Sequence, residues 1–370
     1  MAGTATSTPV AFGARWKLRI SAVWWFLLLA GFLLGLPVLL DVSWLVVAGL
    51  LAVALLVGLV LAWLVRLAFR GQRQQPFVVS YLKAALATLF IFGIVVALPI
   101  YYAAVLTELK PLTVPQATLS NGKQTVVFQG MMHVGSEPFY KGVVYDLEKA
   151  LSEGYVIYYE GVQNSPEGDT WFNDTLAGGG DLSANYKMLS DVCGLKFQLD
   201  YFQLLRADMT AHPERHVAAD VSTADMMHEY QRLVAADPGF AARVQPAKAD
   251  AAATASSSEG LSGLIGLLDG GTAEQKRLAG YACRGFLTWT LGRPDAPSPL
   301  DPVILDYRNK ALADRISTDT RPLIYITYGA GHLPGLLQDL KAIDPAWEIQ
   351  SVKWQRVVEA PDDVSGRLSS

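Results

Sequence analysis

Two histidines in this sequence share one pattern. Each comes at the end of an apolar run, and a glycine stands three positions before it. His133 closes the sequence Gly-Met-Met-His, and His332 closes the sequence Gly-Ala-Gly-His. Glu160 comes directly after a third apolar run. Two imidazoles and one carboxylate are suitable ligands for a divalent metal ion and leave coordination positions free for water or substrate. The trio therefore predicts a metal site.

Two other interpretations of these residues stay open. Without a metal, the same side chains could serve as a general acid and base with an orienting partner. Each histidine could also be a hydrogen-bonded loop residue with no role in chemistry, although two copies of the pattern favour a site. Arg308, on a helix predicted over residues 306–315, could reach inward to hold a carboxylate or a substrate anion, or could be solvated.

A second group of polar residues lies in the middle of the chain. His212 and His216 precede Asp220, and the short run from Arg215 looks like a strand that delivers this acid. Asp220 could join the same site, but a solvated or helix-capping carboxylate is the favoured interpretation. His228 lies on the charged face of a helix predicted over residues 224–235, and we expect it to be solvent exposed.

Strands and helices explain how residues so far apart in the chain could meet. Thr125–Gln129 and Tyr155–Tyr159 are predicted strands, joined by a helix with apolar positions at spacings of three and four. A strand–helix–strand unit of this length predicts two parallel strands. Pro322–Thr327 is a third predicted strand, and His332 follows it at the start of a helix. Ligand sites of open α/β sheets lie at the carboxyl ends of the strands, where His133 and Glu160 are expected.

Three apolar segments precede this part of the chain. Ser21–Leu40, Trp44–Val65 and Ala84–Val105 each have about the 20 residues that a helix needs to cross the hydrocarbon core of a bilayer. A cleavable signal peptide is the alternative for the first segment. The middle of each segment lacks ionisable residues, so the three predicted spans are typical of an anchor rather than of a channel or transporter.

Basic residues flank these segments unevenly. The turn between the first two segments contains no Lys or Arg, whereas the other flanks contain several. The positive-inside rule then places the N-terminus in the cytoplasm and everything after about Leu106 outside it. In a bacterium this predicts a multi-pass protein of the inner or plasma membrane with an extracytoplasmic domain. The flanking bases are Arg15, Lys17, Arg19, Arg66, Arg70, Arg73 and Lys83.

Charge and cysteine content narrow the possible partners. The chain has 30 Lys and Arg against 34 Asp and Glu, a formal charge of −4. Since Asp41 is the only acid among the first 83 residues, the remainder is acidic, which argues against nucleic acid as a partner. Cys193 and Cys283 lack the spacing of a metal site; two buried thiols and one disulfide outside the cytoplasm are both possible.

The predicted organisation has four parts. Residues 1–20 form a disordered cytoplasmic tail, residues 21–106 an all-α bundle of three transmembrane helices, residues 107–360 an extracytoplasmic α/β domain, and residues 361–370 a disordered tail. The α/β domain should have a mixed or parallel sheet with flanking helices, interrupted by a flexible insertion over Pro246–Gly260, which is rich in Ala and Ser.

The chain resembles the TraB/TIKI superfamily in four motifs and their order. The motifs are Gly130-Met131-Met132-His133, Tyr159-Glu160-Gly161, Tyr307-Arg308-Asn309 and Gly329-Ala330-Gly331-His332. That group includes pheromone-shutdown proteins, Wnt-inactivating membrane proteases and GumN-like proteins, and it is related to erythromycin esterases and ChaN-like proteins. The resemblance covers roughly Thr125 to Trp354. It implies a metal-dependent hydrolase fold with His133, Glu160 and His332 at the centre and Arg308 in support. The family's frequent acid after the glutamate is replaced here by a glycine, and a three-span anchor is not a general feature of the family.

These observations lead to two functional hypotheses. The first is a membrane-anchored, extracytoplasmic hydrolase that acts on peptides or small molecules and uses a divalent transition metal such as Mn, Co or Zn. Glu160 would be a ligand or the general base. The second is a non-catalytic, membrane-anchored protein that binds a peptide, haem or signal ligand at the same sheet edge.

Overall fold

A computed structural model describes most of the chain: residues 12–39, 43–69, 74–176, 182–244, 272–292 and 297–359. The backbone divides into two compact units, residues 1–104 and 105–360, which are described separately. The predicted insertion over Pro246–Gly260 and the predicted C-terminal tail lie outside the described residues.

Three helices make up the N-terminal part: α1 (Phe12–Leu39), α2 (Trp44–Ala68) and α3 (Phe77–Leu109). α2 and α3 are long and apolar enough to cross a membrane, with mean hydropathies of 3.0 and 2.4, which supports membrane association. The apolar part of α1 among the described residues, Val23–Val38, is shorter. The prediction of three spans is therefore not confirmed.

The first helix also begins earlier than the sequence led us to expect. Residues 12–20 belong to α1 and are not part of a disordered tail. They contain no proline, so nothing in the backbone chemistry ends the helix before the apolar run begins. Residues 1–11 lie outside the described part of the chain.

Small residues allow close packing between α2 and α3. A Cβ atom placed on Gly58 would lie 2.6 Å from the Cα atom of Ala85, closer than any real contact. Tyr101 of α3 donates a hydrogen bond of 2.9 Å to the carbonyl oxygen of Phe32 in α1. Helices in lipid associate through such close backbone approach and through interhelical hydrogen bonds.

The second unit contains a six-stranded mixed sheet. Its strands occur in the order β6-β4-β7-β2-β1-β8 across the sheet. The first four are parallel neighbours, and β1 is antiparallel to both β2 and β8. The strands are β1 (Thr113–Ser120), β2 (Thr125–Met131), β4 (Val156–Tyr159), β6 (His216–Ala218), β7 (Leu323–Gly329) and β8 (Glu348–Arg356), while β3 (Val134–Gly135) and β5 (Lys196–Phe197) pair separately.

Helices cover both faces of the sheet, because its strands bury apolar side chains on both sides. Ile157 packs into the core beneath α4, and its neighbours Val156 and Tyr158 pack into the core on the other face. The predicted apolar stripe of α4 is confirmed. The helices are α4 (Glu137–Ser152), α5 (Asp169–Thr175), α6 (Leu182–Cys193), α7 (Gln198–Phe202), α8 (Arg206–Ala211), α9 (Thr223–Ala236), α10 (Ala273–Leu291), α11 (Tyr307–Thr318) and α12 (Leu333–Ile343).

The strand–helix–strand unit of β2, α4 and β4 is parallel as predicted, but its two strands are not neighbours. β7 lies between them and pairs in parallel with both. Met131 is opposite Gly329, and Tyr159 is opposite Thr327. The segments that follow β2 and β4 therefore leave the sheet on either side of the segment that follows β7.

A disulfide joins α6 to α10. Cys193 and Cys283 are bonded, with their Cα atoms 5.1 Å apart, although 90 residues separate them in the chain. Of the two interpretations that the sequence left open, the structure therefore has the disulfide. Arg284 adds two hydrogen bonds across the same contact: its Nε donates to the carbonyl oxygen of Cys193 at 2.9 Å, and its Nη2 donates to that of Gly194.

The close approach at Gly58 leads to a test of the helix packing. Replacing Gly58 by Ala should destabilise the N-terminal helices by about 1–3 kcal/mol, because the added methyl group meets the backbone of α3. Gly49→Ala, on the same helix but with open space around its Cβ, should be neutral or stabilising by up to about 1 kcal/mol. Thermal unfolding of the full chain in detergent micelles measures both, and equal effects of the two substitutions would refute the packing.

Candidate functional site

Four parallel strands bring one polar residue each to the same edge of the sheet. His133 follows β2, Glu160 follows β4, Asp220 follows β6, and His332 follows β7 at the start of α12. Because these strands are parallel neighbours, their carboxyl ends lie side by side. The topology therefore places three predicted site residues, together with Asp220, at the edge where open α/β sheets bind ligands.

Arg308 binds two carboxylates at this edge. Its Nε and Nη2 atoms donate to the two oxygens of Asp220 at 3.0 and 2.6 Å, and Nη2 also donates to Glu160 Oε1 at 2.6 Å. The side chains of Arg308 and Asp220 are 7% and 0% exposed. The expectation that Asp220 is solvated or caps a helix is wrong, because this carboxylate is the bidentate partner of a buried guanidinium.

Glu160 is held as an anion. Arg308 donates to its Oε1 atom, and the backbone N–H of Gly329 donates to its Oε2 atom at 2.6 Å. Burial alone would raise the pKa of Glu160, but interactions with His332 and Arg308 outweigh burial and keep the pKa well below its usual value. A carboxylate held in this way is a weak base and a persistent negative charge.

His332 is buried and has a defined orientation. Its Nδ1 atom lies 2.8 Å from Asn309 Oδ1, which can only accept a hydrogen bond, so Nδ1 carries a proton. In the neutral ring, the lone pair of Nε2 then faces Glu160 Oε1 at 3.6 Å. Gly335 makes room for Asn309, because a Cβ at position 335 would collide with the Asn309 amide nitrogen.

His133 lies on the wall of a cavity of about 690 Å³ that Glu160 and Arg308 also line. Its imidazole stacks on the ring of Tyr186, with centroids 4.2 Å apart and an angle of 27° between the planes. Desolvation lowers the pKa of His133, the charge of Glu160 raises it, and the charge of Arg308 lowers it again, with a net decrease. This decrease favours the neutral ring of His133, which can accept a proton or bind a metal.

The other histidines lie elsewhere. His216 contacts Asp208 through Nε2 at 2.7 Å and Tyr159 through Nδ1 at 2.9 Å, in a separate network. His212 is exposed near Glu214. His228 is exposed as predicted, and its Nε2 lies 3.1 Å from Glu167.

The arrangement fits a metal ion only in part. Two ligands of a tetrahedral ion at roughly 2.0–2.1 Å are about 3.3 Å apart, close to the 3.6 Å between His332 Nε2 and Glu160 Oε1. The Nδ1 contact with Asn309 is typical of the outer partner that orients a metal-binding histidine. Within the described part of the chain, however, no three His, Cys, Asp or Glu side chains are grouped closely enough to hold an ion.

The sequence interpretation favoured a solvated or capping Asp220 and gave Asn309 no role of its own, yet both residues position this site. A signal for Asp220 was present, because the short run before it resembles the strand before Glu160. The role of Asn309 could not be read from spacing, since it depends on how α11 packs beside α12.

The chain was compared with protein-family models, with curated proteins and with solved structures. None of the three comparisons found a match. The resemblance to the TraB/TIKI superfamily therefore stays a prediction.

The buried ion pair leads to a test of stability. Asp220→Asn should lower the free energy of unfolding by about 3 kcal/mol, because removing one partner leaves a buried guanidinium undercompensated. The matched control is Asp314→Asn, which breaks the exposed Lys310–Asp314 pair and should cost less than about 1 kcal/mol. Chemical denaturation of the full chain in micelles measures the difference. Equal losses in the two variants would contradict the role given to Asp220.

Proposed function

We propose that this chain is a membrane-anchored, metal-dependent hydrolase of the TraB/TIKI type, with an erythromycin esterase/ChaN-like α/β domain that acts on peptide bonds. The observation that carries the proposal is the close approach of His332 Nε2 to Glu160 Oε1, at 3.6 Å. When the His332 ring is neutral, the lone pair of Nε2 and this carboxylate oxygen can share a cation. Glu160 is kept negative by its surroundings, which favours this sharing.

Each residue has a role in this proposal. Glu160 and His332 would hold the ion, and His133, which lines the same cavity as Glu160, would be the third ligand. A divalent transition metal such as Mn, Co or Zn would supply an activated water as the nucleophile. Arg308 keeps Glu160 ionised, and Asn309 keeps Nδ1 of His332 protonated. Because its pKa is so low, Glu160 is better suited to be a ligand than a general base.

The anchor is part of the proposal. We expect α1, α2 and α3 to form a three-span bundle in a bacterial inner or plasma membrane, with the domain outside the cytoplasm. The uneven distribution of Lys and Arg supports this orientation. The Cys193–Cys283 disulfide also supports it, since disulfides persist in oxidising compartments.

A second candidate is the non-catalytic binding protein for a peptide, haem or signal ligand. The cavity of about 690 Å³ favours it, because this volume is within the range of ordinary ligand pockets, about 300–1,000 Å³. The ion pair between Arg308 and Glu160 would then stabilise the pocket and take no part in chemistry.

Metal-dependent turnover separates the two candidates. The full chain in lipid nanodiscs should cleave members of a peptide library, lose activity after chelation and regain it with Mn, Co or Zn. His332→Ala and His133→Ala should each reduce kcat/KM by at least about 100-fold, because each removes a metal ligand. His228→Ala, an exposed histidine outside the site, should change nothing. Activity that persists after chelation would refute the metal, and binding of peptides without cleavage would favour the second candidate.

Reporter fusions test the orientation. Alkaline phosphatase fused after Thr113 should be active, and a fusion after Gln74 should be inactive, because this enzyme folds only outside the cytoplasm. The expectation follows from the basic residues between α2 and α3. The opposite pattern would reverse the orientation, and activity at both positions would exclude the three-span arrangement.

A further inference from the structure

A second chamber adjoins the candidate site. It has a volume of about 450 Å³ and shares His133 and Glu160 with the larger cavity. Most of its remaining wall is apolar: Leu112, Met131, Val134, Leu189, Leu287 and Leu291. A water molecule in such a space finds few polar partners, so the chamber favours an apolar occupant.

The apolar wall is fixed in place. Leu189 lies on α6, and Leu287 and Leu291 lie on α10. These two helices are joined by the Cys193–Cys283 disulfide and by the hydrogen bonds of Arg284 described above. The chamber is therefore preformed, which lowers the entropic cost of binding.

The larger cavity has a different character. Its wall away from His133 and Glu160 includes apolar residues but carries more polar groups than the second chamber, so it can hold a polar group. The polar residues are Asn164, Asp169, Asn173, Ser183 and Thr223, and the apolar ones are Val162, Phe172, Phe197 and Leu199. A ligand that extends through both chambers would be amphiphilic, with its apolar part on one side of His133 and Glu160 and its polar part on the other. The bond between these two parts would then lie at the residues proposed for chemistry.

We infer that the substrate is an N-acylated peptide or amine whose linear acyl chain occupies the apolar chamber. This inference rests on the proposed hydrolase function and specifies its substrate class. A methylene group takes up about the volume of a water molecule, roughly 30 Å³. A chamber of about 450 Å³ therefore has room for a chain of up to about 15 carbons, well beyond one amino-acid side chain.

The reaction is hydrolysis of the acyl amide. The C–N bond between the acyl carbon and the nitrogen breaks, and the oxygen of one water molecule forms a new bond to the acyl carbon. The products are a fatty acid and an amine, and the amine nitrogen takes a proton from the water. The step needs no oxidant or reductant.

The substrate test uses the full chain in nanodiscs and a series of N-acyl-7-amino-4-methylcoumarins with acetyl, butanoyl and octanoyl groups. Up to eight carbons, kcat/KM should rise by up to about fourfold per methylene, the gain expected for apolar burial. The leucyl derivative should be cleaved more slowly than the octanoyl one. Faster cleavage of the leucyl derivative would assign the chamber to an amino-acid side chain and overturn the inference.

Three exposed apolar residues provide matched variants. Leu291 lines the apolar chamber, Phe286 lies on the same helix outside both chambers, and Leu199 lines the polar cavity; they are 43%, 61% and 46% exposed. Leu291→Asp should lower the ratio of octanoyl to acetyl kcat/KM by at least about 10-fold. Phe286→Asp and Leu199→Asp should leave this ratio within about twofold. The ratio does not depend on the fraction of folded protein, and equal changes in the three variants would overturn the inference.

A binding measurement separates this inference from the hydrolase proposal. Calorimetric titration with N-octanoylglycine, with the signal from empty nanodiscs subtracted, should give about 10-fold weaker binding for Leu291→Asp than for Phe286→Asp. This difference without turnover of any substrate would support the acyl chamber and refute the hydrolase. Cleavage of peptides at a rate that does not depend on the acyl chain would support the hydrolase and refute the acyl chamber.

Discussion

The candidate site depends on one buried positive charge. Arg308 lies between Asp220 and Glu160, and all three side chains are largely removed from water. Isolated, each of these charges would cost several kcal/mol to bury, so each requires the others. The guanidinium thereby links α11 to the ends of β4 and β6, and Glu160 extends the link to the backbone of Gly329 at the end of β7. These contacts connect three strand ends, so the charged groups at this edge are paired with one another.

The position of β7 gives this network its geometry. Had β2 and β4 been neighbours, His133 and Glu160 would have been adjacent and His332 would have lain to one side. With β7 inserted between them, His332 emerges from the middle of the edge and its ring faces the carboxylate of Glu160. The helix that follows, α12, leaves space at Gly335 for Asn309, and this contact fixes the imidazole. The strand order and the lack of a side chain at Gly335 thus determine which nitrogen of His332 faces Glu160.

Local sequence patterns predicted much of this arrangement. The features that they did not predict depend on contacts between residues far apart in the chain. The strands before His133, Glu160 and His332 were recognisable from apolar runs and glycines, and parallel pairing implied a common edge. Asp220 follows the same kind of run, yet a solvated carboxylate was the favoured interpretation, because burial depends on a guanidinium 88 residues away. The position of β7 between β2 and β4 could not be predicted from the sequence either. Periodicity indicates which segments are strands but not their order in the sheet. The early start of α1 has a simpler cause: composition suggested a tail, but no residue there stops a helix.

Charge at the edge also limits the chemistry that this fold can support. A carboxylate that accepts from Arg308 and from a backbone N–H is stabilised as an anion, so it attracts a cation strongly and a proton weakly. His133 has the opposite property, because desolvation lowers its pKa and so favours the neutral ring, which can accept a proton or coordinate a metal. The two groups therefore differ in function although both line the two chambers: one supplies fixed negative charge, and the other supplies a lone pair. A polar and an apolar space meet where this pair stands. The discrimination between ligands should therefore come from the chamber walls, while the charged edge supplies the same electrostatic environment to all of them.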